Sequence, residues 1–141
     1  PTRTICEKIM SLVRFSHSQN PIEDLKKKIR HTYDLHQLLQ HDEFSNFLNS
    51  SDFEHMLLKV AKDDMTSFKN NNSWLIHHPA EALLFKDPEN TWGELKATYN
   101  GDFKSLVYGT MPAEKEIQDT LVNIQNRLKS IEWNIQLDTR H

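Results

Sequence analysis

Three glycines and five prolines in 141 residues leave this chain few places to reverse direction tightly. A sandwich or barrel needs many tight turns, most of them built on glycine, proline or asparagine. Helices with short connections need far fewer. The apolar pattern agrees. After Pro112, residues Ile117, Leu121, Ile124, Leu128 and Ile131 fall on one face of a helix, with Lys, Glu, Gln and Asn opposite.

The same spacing recurs upstream. Thr4 followed by Glu7 is a capping-box pattern, and Ile5, Ile9, Leu12 and Val13 then predict an amphipathic helix over 4–15. Pro21 suits a first helical turn. From it, Leu25, Ile29, Tyr33 or Thr32, His36 and Leu39 predict one stripe to about Gln40. Phe44, Phe47 and Leu48 predict a short helix. Ser51 or Asp52 caps the next, which holds Phe53, Met56, Leu57 and Val60. Asn70 to Ser73 reads as a loop and Trp74-Leu75-Ile76 as an extended run. Pro79 starts a brief helix through Phe85. Asp87-Pro88 opens another with Trp92, Leu95 and Tyr99, and Asn100-Gly101 is a turn between helices. The expected fold is mostly α: a single helical-bundle domain over 1–141, with a minor extended segment near 74–76.

Composition narrows the function classes. Apolar residues make up 37%, charged residues 26%, and mean hydropathy is -0.69, which suits a folded, soluble chain. The net charge of -3 gives no overall basic excess to hold a nucleic-acid backbone, though Lys26-Lys27-Lys28-Ile29-Arg30 is a local basic patch. No run of about 18 apolar residues exists, so no membrane span is expected. The single cysteine, Cys6, excludes an internal disulfide and a Cys-rich zinc site, and fits the reducing cytoplasm. The first residue is Pro1, not methionine, and no signal peptide is visible; the expectation is a piece of a longer protein.

The densest chemistry lies in Arg30-His31-Thr32-Tyr33-Asp34-Leu35-His36. On a helix, Arg30 and His31 share a face with Asp34. The plain reading is an exposed ion pair worth less than about 1 kcal/mol. The functional reading is that Arg30 or His31 orients Asp34 toward a phosphate-bearing ligand. A metal site from His31, Asp34, His36 and His41 is disfavoured, because one helix cannot close a tetrahedron. Lys8 is a surface lysine by default. Cys6 sits on an apolar face and reads as a packing residue. His77-His78 point apart in a turn, and the tryptophans read as core or interface anchors. Gly93, Gly101 and Gly109 form no phosphate loop.

Two segments together resemble the C-terminal half of AbiEii/AbiGii-type toxin nucleotidyltransferases. Pro1-Thr2-Arg3-Thr4-Ile5-Cys6-Glu7-Lys8-Ile9 resembles the family's Pro-x-Arg-Thr-x-x-Glu-Lys helix, and Arg30-His31-Thr32-Tyr33-Asp34-Leu35 its Arg-His/Asp-x-x-Asp-Leu helix. Trp92, Tyr99, Phe103 and Leu106, then Pro112 and the closing helix, resemble the tail of such proteins. The resemblance implies nucleotide binding and transfer, with Lys8 near the nucleotide's phosphates, Asp34 as a downstream acidic residue, and Arg30 and His31 in support. The family's core also carries a Gly-Ser or Gly-Gly pair and an Asp-x-Asp that holds magnesium. This chain has neither. The resemblance therefore implies an N-terminal nucleotidyltransferase core outside this sequence, with Mg2+ and a nucleoside triphosphate bound only in the full-length protein and this piece inactive alone. It further implies an antitoxin partner and leaves nucleic acid among the acceptors.

Two alternatives stand beside it. Arg30 and His36, separated by five residues, resemble the motif of HEPN-type ribonucleases, which act on RNA across a dimer interface. The other alternative is a non-catalytic helical interaction module. Lys8 and Asp34 converging on one cleft favours the transferase; opposite faces favour the module.

Overall fold

The computed structural model describes residues 2–107 and 109–137. Among these there is no β-strand, and eight α-helices form a mostly α single domain. Helix α1 (Thr2–Ser16) is the hub. It packs against α2 (Pro21–Lys27), α3 (Ile29–Leu39), α5 (Ser51–Ser67) and α6 (Leu83–Lys86). Its sequence explains why: Ile5, Cys6, Ile9, Met10, Leu12 and Val13 make an apolar stripe wide enough for several neighbours, and all six are buried. The helix starts earlier than expected, so Thr4 lies inside it and caps nothing. Glu7 instead accepts from Arg3 Nε at 3.4 Å.

The stripe predicted from Pro21 to Gln40 is two helices. Lys28 leaves helical geometry at φ -111°, ψ 17°, and its N–H bonds back to the Leu25 carbonyl. The break has a packing reason. Helix α2 lies on α1 and α7 (Pro88–Thr98), whereas α3 lies on α1, α4 (Asp42–Leu48) and α8 (Glu114–Lys129). One straight helix could not serve both sets. Beyond the break the buried face is Ile29, Thr32, Leu35 and His36, so Leu35 takes the core place expected of Leu39.

Three local expectations are corrected. Ser73–Ile76 is a 3₁₀ turn and not extended, because it buries Trp74 and Leu75 while the Trp74 indole donates to the Asn71 carbonyl at 2.9 Å. The helix expected from Pro79 to Phe85 divides into a 3₁₀ turn, Pro79–Glu81, and α6, with extended Ala82 between them. Asn100-Gly101 makes no turn; the chain continues from α7 into a π-helix, Tyr99–Phe103. The wider winding keeps Tyr99 and Phe103 on one buried face, 5.9 Å apart, and the Tyr99 hydroxyl donates to the Pro112 carbonyl at 2.6 Å.

Helix α8 follows the predicted stripe through Leu128, burying Ile117, Leu121, Ile124 and Leu128 against α3, α6 and α7; it ends at Lys129, so Ile131, expected on the same helix face, is buried from the segment beyond it. The Glu116 carboxylate accepts from the Ala113 N–H at 2.8 Å and satisfies one orphan donor at its start. Near its end Arg127 donates to the carbonyls of Leu48 and Ser50 and to Glu54, at 2.5, 2.9 and 3.1 Å. That side chain fastens α8 to the turn joining α4 and α5.

Candidate functional site

The crossing of α1 and α3 brings together two residues 26 apart in sequence. Lys8 Nζ donates to Asp34 Oδ2 at 3.0 Å, with the side chains 20% and 22% exposed. Lys8 is adjacent to the core stripe of α1, flanked in the helix by buried Ile5, Ile9 and Leu12, so its stem lies along the α3 boundary. Asp34 precedes buried Leu35 and is held at the edge of the same core. Arg30, one turn earlier on α3, places Nε 3.6 Å from the same Asp34 oxygen, but its side chain is 77% exposed. Asp34 thus has two cations on one oxygen.

His31 joins the cluster without bonding to Asp34. Its Nδ1 is sealed from solvent and has no hydrogen-bond partner. Burial, then the charges of Lys8 and Lys28, push its pKa down to about 4, against a smaller opposing pull from Asp34. The ring is therefore neutral near pH 7, and it is Arg30 and Lys8 that orient Asp34. The sequence pairs Lys8 with Asp34 through the family resemblance alone; periodicity within each helix says nothing about how two helices cross.

His36 lies apart from this group. It is buried, and its Nδ1 is 2.7 Å from Thr120 Oγ1 on α8. The Thr120 hydroxyl itself donates to the Glu116 carbonyl at 3.1 Å, so its oxygen accepts and the His36 proton sits on Nδ1. Burial lowers the His36 pKa, with Glu116 pulling the other way. Arg30 and His36 do not converge: one is exposed toward Asp34, the other is spent on the α3–α8 contact.

No group of three His, Cys, Asp or Glu side chains that could hold a metal ion occurs among the described residues. In the cluster, Asp34 is the one carboxylate and already faces two cations. The residues present suit phosphate oxygens better than a divalent ion.

Comparison with known families decides the relationship. A family model described as Nucleotidyl transferase AbiEii toxin, Type IV TA system, matches residues 1–124. The chain belongs to this family. No curated protein and no solved structure matches it. The AbiEii match includes both helices of the Lys8–Asp34 pair and ties the chain to toxin-type nucleotidyltransferases of toxin–antitoxin systems. No helix among the described residues is long and apolar enough to cross a membrane.

Several other side chains singled out in the sequence are structural. Cys6 is fully buried, and burial pushes its thiol up to about 12. His78 accepts from the Ala80 N–H through Nδ1 at 3.0 Å, and its Nε2 lies 2.8 Å from the Ile131 carbonyl. The Trp92 and Trp133 indoles donate to Glu114 and to the Leu75 carbonyl.

Proposed function

We propose that this chain is the helical C-terminal part of an AbiEii-type nucleotidyltransferase, supplying Lys8 and Asp34 to an active site completed by an N-terminal core. The observation that carries this reading is the 3.0 Å approach of Lys8 and Asp34 from two helices, each of which resembles a family motif. Lys8 is a compact point charge suited to a nucleotide's phosphates, and Arg30 adds a second, mobile cation. An incoming phosphate would compete with Asp34 for Lys8 and release the carboxylate. Freed, Asp34 can accept a hydrogen bond from an acceptor hydroxyl. His31 stays neutral and adds no charge to the site.

The metal carboxylates and the glycine pair that close such a site would come from the N-terminal core, since the residues present here do not fit a metal. The acceptor, nucleic acid among the classes open to it, would approach over Arg30 and the Lys26–Lys28 patch. An antitoxin is the expected cellular partner and the cytoplasm the expected compartment.

The test is a substitution series in the full-length protein, assayed for transfer of labelled nucleotide. Lys8→Ala and Asp34→Asn should each lower the rate by at least about a hundredfold while leaving the melting temperature within a few degrees. The isolated chain with Mg2+ and each nucleoside triphosphate should transfer nothing. Near-normal turnover in both variants would reject the residue roles, and activity of the isolated chain would reject the shared site.

A further inference from the structure

At the far end of α1, about 9 Å along the helix from Lys8 at 1.5 Å per residue, lies a second polar recess. It has a volume of about 440 Å3 and is lined by Arg14, Phe15, His17, Ser18, Gln19, Asp24, Asn71 and Trp74. Its defining group is the Arg14 guanidinium. The central carbon lies 4.1 Å from the Phe68 ring centre and 4.5 Å from that of Phe15, so two aromatic rings hold it. Yet it makes no hydrogen bond and no ion pair with any described residue, whereas Arg127 of α8 makes four hydrogen-bond contacts. None of the Arg14 nitrogens is sealed from solvent without a partner, since among the described residues that condition is met by His31 Nδ1 alone.

A guanidinium fixed by stacking keeps its fork of donors available and loses little freedom on binding an oxyanion. The charges around it select among anions. Asp24 lines the recess, and Asp64, whose pKa burial raises and Arg14 lowers, stands beyond ion-pair distance; Lys28 lies over the Phe15 ring at 5.2 Å, outside the lining. The lining thus holds one unpaired guanidinium and one carboxylate: a single fork that matches one carboxylate group, with too little positive charge to favour a dianion. His17 adds none, because burial and the stacked His77 ring at 5.3 Å lower its pKa. The Gln19 and Asn71 amides add neutral donors, and Phe15 and Trp74 add flat apolar surface. The space is of ordinary ligand-pocket size.

We propose that this recess binds a small monoanionic organic carboxylate, held by the Arg14 fork and independent of the Lys8–Asp34 cluster. The carboxylate plane matches the guanidinium plane, and the body of the ligand lies against Phe15 and Trp74.

The experiment is an NMR titration of this chain with benzoate, acetate and inorganic phosphate, following the Arg14 Nε–H and the Trp74 indole N–H. Benzoate should shift both signals saturably, and phosphate should bind more weakly. Arg14→Gln should weaken benzoate by at least about tenfold, the loss expected of a bidentate charged pair. Asn71→Asp keeps Arg14 but adds a carboxylate to the lining, and should also weaken it severalfold. Lys8→Ala should bind as the parent does. The proposal is overturned if benzoate produces no saturable shift, if Arg14→Gln or Asn71→Asp binds it unchanged, if Lys8→Ala abolishes it, or if phosphate binds as tightly. None of these readouts depends on nucleotide transfer.

Discussion

His31 makes the candidate site a source of acid sensitivity, by an amount the structure allows to be worked out. The group titrates near 6.5 when unfolded and near 4 when folded. Between these values the unfolded chain binds a proton that the folded chain refuses. Stability therefore rises with pH across this window and falls as pH drops through it. For one group with these two values, linkage gives about 0.2 kcal/mol of loss at pH 7 and about 2 kcal/mol at pH 5, so acidification from 7 to 5 removes roughly 1.8 kcal/mol. Other groups titrate too, including His17 and His36, whose pKa values are also lowered. The His31 share is isolated by comparison with His31→Gln. Urea denaturation of both proteins at pH 7 and pH 5 should show the parent losing roughly 1.8 kcal/mol more than the variant. Equal losses in the two proteins would refute the argument. So would a His31 ring signal titrating with a midpoint near 6.5 in the folded chain.

Arg127→Ala removes the donors that satisfy the Leu48 and Ser50 carbonyls and the Glu54 carboxylate, and should cost about 3 kcal/mol or more in urea denaturation; a loss below about 1 kcal/mol would show that α8 is not fastened this way. Cys6, fully buried with its thiol pushed up to about 12, should react with a thiol reagent such as DTNB only as the protein unfolds; stoichiometric labelling of the native chain within seconds would contradict its placement.

The helical class was legible because two signals agreed: few breakers, and apolar residues at helical spacing from Ile5 to Leu128. What stayed hidden came from contacts between elements. Nothing local stops a helix at Lys28, a good helix former inside an unbroken stripe; the break exists because α2 and α3 face different partners. Asn100-Gly101 carries turn chemistry, but Gly101 keeps a negative φ and the π-helix is drawn on by burial of Tyr99 and Phe103. Trp74-Leu75-Ile76 reads equally as a strand or a buried turn, because three residues are too few to show a period. At the candidate site, Lys8 and Asp34 were marked by resemblance to two family motifs, while their approach across 26 residues is a tertiary fact. The isolation of His31 was invisible, since a histidine between Arg30 and Thr32 looks like one more polar residue.

Energetics also bears on why a lysine and an aspartate occupy the α1–α3 crossing. Helices α1 and α3 contribute Ile5, Ile9, Leu12, Ile29 and Leu35 to one core, each nearly or fully buried. Side chains of this kind are worth roughly 1.5–3 kcal/mol apiece when buried. A partly exposed ion pair beside them adds about 1 kcal/mol at most. Two well-packed apolar residues at positions 8 and 34 would join the helices at least as firmly, as exchanges of buried ion pairs for apolar residues generally show. The crossing also leaves His31 with a sealed, partnerless nitrogen, which costs on the order of 1–3 kcal/mol. Stability alone therefore does not account for concentrating Lys8, Arg30, His31 and Asp34 here. A cationic pair poised around one carboxylate is accounted for if phosphate displaces Asp34 from Lys8 during the reaction.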